Sequence, residues 1–194
     1  MADSFSEVME HKIEGRDYQR VVQRRGSDVV LLAPHAGGIE PGTGKLVQAI
    51  AGETYSYYMF DGLQEINNRQ LHVPSTNFDD PLCLDLVRTT EMALSLHGCR
   101  GFDEIVYVGG LQQGTMEKIT RSLTRHGFRA THDRSGHAGH HPQNICNRCA
   151  SGKGVQLELS HALRKTFFKG FDRPGREHPT ARFTRFVLAI RNVL

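Results

Sequence analysis

Hydrophobic positions along the chain are grouped into short continuous runs that favour buried strands. The run VVLLA, at residues 29–33, is rich in β-branched residues and has no polar member. Such a run is typical of a strand that is covered on both faces of a sheet. We predict four further strands from similar runs: YSYYMFDG (55–62), EMALSLHG (91–98), DEIVYVGG (103–110) and GVQLELS (154–160).

Two other segments have the periodicity of amphipathic helices. In TMEKITRSLTRHG (115–127), Met116, Ile119 and Leu123 recur at helical spacing and predict one apolar face. RFTRFVLAIRNVL (182–194) predicts a closing helix with its larger apolar residues on one side. Strands that alternate with helices indicate an α/β fold with a mixed, largely parallel central sheet and helices on both faces.

The length and composition of the chain indicate one globular domain. A chain of 194 residues can bury a sizeable core, whereas two full domains would be cramped. Its 38% hydrophobic and 23% charged residues are ordinary for a globular protein. We therefore predict a single domain over residues 1–194.

Two classes of partner find no support in the sequence. No run of about 18 apolar residues is present, so no membrane span is expected. No nucleic-acid motif is recognisable, and aromatic residues do not alternate with basic ones. The first residues, MADSFSEVMEHKIEGRD, lack a basic stretch followed by an apolar one. We expect synthesis in the cytoplasm without a signal peptide, and any action outside the cell after lysis.

Positive charge is concentrated near the end of the chain. The formal net charge is +3, but residues 146–194 hold ten Arg or Lys residues against three acids. This segment is basic enough to hold a polyanion, although a solvated basic face is the simpler interpretation. The four cysteines, at 83, 99, 146 and 149, are expected to be reduced thiols.

The segment PHAGGIE places two candidate metal ligands directly after the first predicted strand. Ligands in α/β sheets bind at the carboxyl ends of strands, and His35 and Glu40 follow such an end. Gly37 and Gly38 allow the backbone to turn so that both side chains converge. Catalytic zinc commonly takes three protein ligands and leaves a fourth position open. The spacing alone leaves a structural role for His35 open.

Several residues are candidates for a third ligand. His97 ends a predicted strand and His72 lies in a loop. A cluster further along offers both histidines and a C-x-x-C pair, which is also a candidate structural zinc site: His132, His137, His140, His141, Cys146 and Cys149.

Seven blocks of the sequence, taken in order, closely resemble the phage-type poly-γ-glutamate hydrolase family. The resemblance runs from about Asp17 to Phe168 and is carried by these blocks: APHAGGIEPGT, YSYYMFDGL, LHVPSTNFDDP, SLHG, IVYVGGL, NICNR and GKGVQLELS. It implies a single α/β domain related in fold to zinc carboxypeptidases, with one Zn²⁺ per chain. The matching blocks imply that the zinc ligands are His35, Glu40 and His97.

The same resemblance implies that Glu158, in VQLELS, is the general base. A carboxylate beside a metal-activated water can take its proton and pass it to the leaving amine. The alternative is that Glu158 ends an edge strand in a surface ion pair. Because side chains alternate along a strand, Glu158 shares a face with Gln156, and that face could be the solvated one.

Four residues are candidates for substrate contact. Arg148 could hold a substrate carboxylate or stabilise an oxyanion, and the pair Asn147-Arg148 resembles the carboxylate-binding pair of carboxypeptidases, although here it follows His97. Lys153 and His72 complete the candidate set. Asn77 stands where the family resemblance leads us to expect histidine, which affects substrate preference if that position touches substrate.

The function implied is zinc-dependent hydrolysis of the γ-amide bonds of poly-γ-glutamate by a monomer. A polyanionic substrate calls for a cationic cleft, which the basic segment 146–194 is expected to line. One alternative is a zinc amidase or peptidase that acts on another γ-glutamyl or cell-wall peptide. The other is a non-catalytic module that binds polyanions.

Overall fold

The chain folds around a seven-stranded mixed sheet in a computed structural model that describes residues 4–132 and 139–194. The strands, in chain order, are β1 (Tyr18–Gln23), β2 (Val29–Gly37), β3 (Ser56–Gly62), β4 (Met92–Cys99), β5 (Ile105–Gly110), β6 (Arg129–His132) and β7 (Val155–Ser160). Each of the five predicted strands is present, and β2 extends four residues beyond the predicted end.

The strand order is β1-β3-β2-β4-β7-β5-β6. The four strands β3, β2, β4 and β7 are mutually parallel, whereas β1 pairs antiparallel with β3 and β5 pairs antiparallel with β7. The carboxyl ends of β2, β4 and β7 therefore meet at one edge of the sheet. In this order β7 is an interior strand, so the interpretation of Glu158 as the end of an edge strand is wrong.

Helices cover both faces of the sheet, which confirms the predicted α/β architecture. They are α1 (Phe5–His11), α2 (Thr43–Ala51), α3 (Pro81–Arg88), α4 (Gln113–Arg125), α5 (His161–Thr166) and α6 (Ala181–Arg191). One face packs against α2, α4, α5 and α6, through side chains such as Leu46, Ile119 and Phe186. The other face packs against α1 and α3, through Phe5 and Leu86. None of the helices described is long and apolar enough to cross a membrane.

Candidate metal centre and active site

The end of β2 separates from its neighbours at Pro34. Pairing with β4 stops at Leu32, and pairing with β3 is interrupted between Ala33 and Ala36. Proline has no N–H to give to a sheet ladder, so the ladder breaks at this point. His35 consequently lies at the point where the central strand opens, with its side chain buried.

A tight turn brings Glu40 back to His35. Gly37 has φ +66°, and a Cβ at this position would lie only 2.5 Å from the Gly62 carbonyl oxygen. Only glycine adopts this left-handed conformation without strain in such close contact with backbone. The Glu40 N–H then donates to the His35 carbonyl at 2.8 Å. The predicted role of glycine in the turn is therefore seen at Gly37.

Side-chain atoms of His35, Glu40 and His97 converge at the carboxyl ends of β2 and β4. His35 Nδ1 lies 3.1 Å from Glu40 Oε1 and 3.2 Å from His97 Nδ1. His97 Nδ1 lies 3.7 Å from Glu40 Oε2. The Gly98 N–H donates to Glu40 Oε2 at 2.8 Å, which holds the carboxylate against the end of β4.

His72 joins this cluster from the loop that precedes α3. Its ring stacks on the ring of His35 with the centroids 3.9 Å apart, and its Nε2 lies 3.6 Å from Glu40 Oε1. The ligand atoms of His35, Glu40 and His72 all lie within 4.8 Å of one another. The cluster therefore offers two candidates for a third ligand, His97 and His72. His97 is buried and His72 is partly exposed.

The electrostatics of the cluster keep the carboxylate charged and one histidine neutral. Burial alone would raise the pKa of Glu40, but the charge and hydrogen bond of His35, with smaller contributions from His72 and His97, bring it well below its ordinary value. Burial lowers the pKa of His35, but Glu40 outweighs this effect and the net pKa is raised. Burial lowers the pKa of His97 to about 3, so this imidazole is neutral and able to donate a lone pair.

The donor set fits zinc. Around a tetrahedral zinc ion, with bonds of about 2.0–2.1 Å to nitrogen and oxygen, ligand atoms lie about 3.3 Å apart. The distances from His35 Nδ1 to Glu40 Oε1 and to His97 Nδ1, 3.1 and 3.2 Å, are close to this value, and His97 Nδ1 lies 3.7 Å from the other carboxylate oxygen, Glu40 Oε2. His35 Nε2 lies 2.7 Å from the Val73 carbonyl oxygen. Donation to that carbonyl turns Nδ1 toward the cluster, in the way that outer partners orient metal-binding histidines.

Glu158 lies beside this cluster because β4 and β7 are paired in register. His97 pairs with Glu158, so the two side chains emerge on the same face of neighbouring strands. The Gln156 side-chain amide donates to Glu158 Oε1 at 3.0 Å and accepts from Asn144 Nδ2 at 2.9 Å. This chain of hydrogen bonds fixes the orientation of the Glu158 carboxyl group.

The cluster and Glu158 open into one cavity of about 300 Å³. Its lining includes residues that received no catalytic or binding role in the sequence analysis: Ser75, Thr76, Asn144 and Gln156. His140 and His141, from the histidine-rich segment, also line it. The histidine content of this segment could have suggested a role in the site. Its position beside the cavity is set by the fold and could not be predicted from the sequence.

Three of the four predicted substrate contacts are not brought into this cavity. Arg148 Nη1 donates to the Phe78 carbonyl at 3.2 Å. Asn147 is buried, with its amide nitrogen 2.6 Å from the Gly139 carbonyl and its amide oxygen 3.0 Å from the Gly154 nitrogen. Lys153 is exposed, and none of these three residues is in the cavity lining. Their substrate role stays a prediction, whereas His72 does line the cavity.

The C-x-x-C segment shows no metal cluster among the residues described. Cys146 and Cys149 are free and buried, and burial raises the pKa of the Cys146 thiol to about 12. His137 lies outside the described residues. Asn77 is exposed and is absent from the cavity lining.

A model of the family described as poly-gamma-glutamate hydrolase matches residues 3–189. The chain belongs to the poly-γ-glutamate hydrolase family.

One relative is similar in sequence, and two solved structures have the same fold. The chain is 37% identical over 175 residues to the UPF0714 protein YmaC of Bacillus subtilis strain 168, which covers 89% of this chain and 74% of YmaC. The solved structure of a bacteriophage poly-gamma-glutamate hydrolase superposes with a TM-score of 0.97 at 34% identity, over 99% of this chain and 95% of that one. A zinc-free apo form of YndL superposes with a TM-score of 0.95 at 33% identity, over 99% and 96%.

Proposed function

We propose that this protein is a zinc-dependent hydrolase that cleaves γ-glutamyl amide bonds in poly-γ-glutamate. His35, Glu40 and His97 would hold one zinc ion, and Glu158 would act as general base. The observation that carries this proposal is the convergence of two imidazole nitrogens and a carboxylate beside Glu158 at the open end of the parallel strands. Membership of the family supports the substrate.

Zinc held by His35, Glu40 and His97 would supply Lewis-acid chemistry, polarisation of the amide carbonyl and a lower pKa for water. Glu158 takes the proton of the attacking water and then transfers it to the leaving nitrogen. Gln156 holds the Glu158 carboxyl group in place through the 3.0 Å hydrogen bond to Oε1. The Glu40 carboxylate balances the positive charge of the site, and the Gly98 N–H keeps it oriented.

Glu158→Gln tests the catalytic assignment. Glutamine keeps the shape of the side chain but cannot accept the proton, so turnover should fall by about 10²- to 10⁴-fold. Zinc content should stay close to one ion per chain, since a base is not a ligand. Metal analysis and the size distribution of poly-γ-glutamate after incubation, measured on one preparation, check both. Near-normal turnover would contradict the role of Glu158, and loss of zinc with activity would make Glu158 a ligand.

A matched pair of alanine variants decides between the two candidate third ligands. His97→Ala should lose zinc and activity while the fold is retained, because His97 is buried with its Nδ1 directed at His35 and Glu40. His72→Ala should keep zinc, since His72 stacks on His35 from the exposed side. Zinc content after dialysis and circular dichroism are the measurements. The reverse result, zinc lost only in His72→Ala, would make His72 the ligand.

A further inference from the structure

A cleft of about 990 Å³, whose lining does not include Glu158, adjoins the metal cluster. Glu40 and His72 line both this cleft and the smaller cavity, so the two spaces meet at the cluster. We call it the arginine cleft, because Arg69, Arg100 and Arg164 all line it. Its volume is at the upper end of the range of about 300–1,000 Å³ for ligand sites.

The three arginines differ in how their side chains are used. Arg164 is buried and donates to the carbonyl groups of Leu159, Pro41 and Cys99 at 3.1, 2.8 and 3.2 Å. Arg69 and Arg100 are exposed. Within residues 4–132 and 139–194, neither of these two side chains has a hydrogen bond or an ion pair with another residue.

The cleft lining therefore has an excess of positive charge, with three arginines against two acids. Glu65 is the acidic residue in its lining besides Glu40. Of the basic segment 146–194, Arg164 contributes to the lining, but the two uncommitted cations come from residues 69 and 100. The expected contribution of the C-terminal segment is thus limited to one arginine whose donors are already occupied by backbone carbonyls.

Apolar side chains stand among these cations at the rim. Ile66 is 74% exposed and Phe102 is fully exposed, and both line the cleft. Large apolar side chains in water call for a partner when they cluster around a groove. Ile66 precedes Arg69 by three residues, and Phe102 follows Arg100 by two, so each loop presents one cation and one apolar group.

We propose that the arginine cleft binds the segment of a γ-linked glutamate chain that extends from the bond being cleaved. Each γ-linked residue presents one free α-carboxylate and two main-chain methylene groups. Arg69 and Arg100 suit the carboxylates, and Ile66 and Phe102 suit the methylenes. The inference rests on the proposed function, and it makes Arg69 and Arg100 determinants of preference for long anionic chains rather than short γ-glutamyl peptides.

The test compares two double variants of the zinc-loaded protein. Arg69→Ala/Arg100→Ala removes the uncommitted cations of the cleft. Arg121→Ala/Arg125→Ala removes the same charge from exposed positions on α4, in a separate groove. The first variant should raise KM for long poly-γ-glutamate about tenfold, because removal of each charge-assisted hydrogen bond weakens substrate binding. It should also flatten the rise of KM with added salt, because fewer ion pairs remain to be screened.

The control variant and the parent separate the possible outcomes. Arg121→Ala/Arg125→Ala should keep the KM and the salt response of the parent. If the parent cleaves the polymer and both double variants have equal KM values, the arginine cleft is not the chain-binding site. If the KM of a γ-glutamyl dipeptide amide rises as much as that of the polymer, Arg69 and Arg100 act at the cleaved bond and the extended site is refuted. A parent that cleaves no γ-glutamyl substrate refutes the proposed function itself.

Discussion

Glu40 and Asp80 are two carboxylates withdrawn from solvent in different parts of the molecule, and their partners differ in kind. Asp80 is fully buried, accepts from the Leu82 N–H at 3.0 Å and from the Tyr58 hydroxyl, and lies 3.4 Å from Arg20 Nη1. Glu40 is 12% exposed and is surrounded mainly by imidazole rings that face a cavity.

This difference distinguishes a carboxylate with fixed partners from one whose partners can change their protonation state. Every partner of Asp80 is a permanent donor, and together they join the start of α3 to β3 and β1. The imidazole partners of Glu40 can exchange a proton for a metal ion, as metal-binding histidines do. In this fold, burial alone therefore does not identify a carboxylate that takes part in chemistry. The better criterion is a buried carboxylate whose neighbours can change state.

The largest effect should come from Glu40→Gln. Glutamine can still accept from the Gly98 N–H, so the metal-free protein should still fold, with a loss of stability in the ordinary range of about 0.5–3 kcal/mol because the charge beside His35 is removed. Without the negative charge, zinc affinity should fall and turnover should decrease by at least about 100-fold, as expected when a metal that activates water is lost. Zinc titration and polymer degradation measure the two effects. A variant with full zinc content and normal turnover would remove Glu40 from the metal centre.

A smaller effect, and one on folding rather than activity, is expected from Asp80→Ala. This change removes the helix cap of α3 and leaves the Tyr58 hydroxyl without its acceptor. Loss of one partner from a buried network typically costs about 3–5 kcal/mol, so the midpoint of urea unfolding should fall clearly. The folded fraction should keep its zinc and its turnover.

Asp85→Ala is the matched control for this change. Asp85 lies on the same helix and pairs with Arg24 at 2.5 Å, but both side chains are exposed. Exposed ion pairs contribute about 0–1 kcal/mol, so this variant should unfold close to the parent. Equal destabilisation by the two variants would mean that burial of the Asp80 network adds nothing to the free energy of unfolding.

Much of the sheet could be predicted because its central strands are continuous apolar runs. β1 could not, since Tyr18–Gln23 mixes polar and apolar residues without a clear period and pairs with a single neighbour. α3 is also absent from the predicted elements, although Asp80 followed by Pro81 is a recognisable helix start. The antiparallel direction of β5 against β7 depends on long-range pairing, which no local pattern encodes.

In the site, the pairing of residues close in sequence was easier to predict than the proximity of residues that only the fold brings together. His35 and Glu40 could be paired from their spacing of five positions and the two glycines between them. His97 was one of several candidates because it ends a predicted strand, and the family resemblance singled out His97 as ligand and Glu158 as base, whereas their actual proximity comes from the β4–β7 register. The stacking of His72 on His35 and the approach of His141 to the cavity depend on loop paths, which periodicity does not describe.

The position of β7 has a consequence for how the molecule is made. This strand is the last in the chain, yet it lies between β4 and β5, which are made earlier. While a ribosome is still extending the chain, two interior strands present unpaired N–H and C=O groups, the condition that favours misassembly. Insertion of β7 closes both edges and delivers Glu158 in the same event. The nascent chain therefore acquires its proposed base only when its sheet is complete.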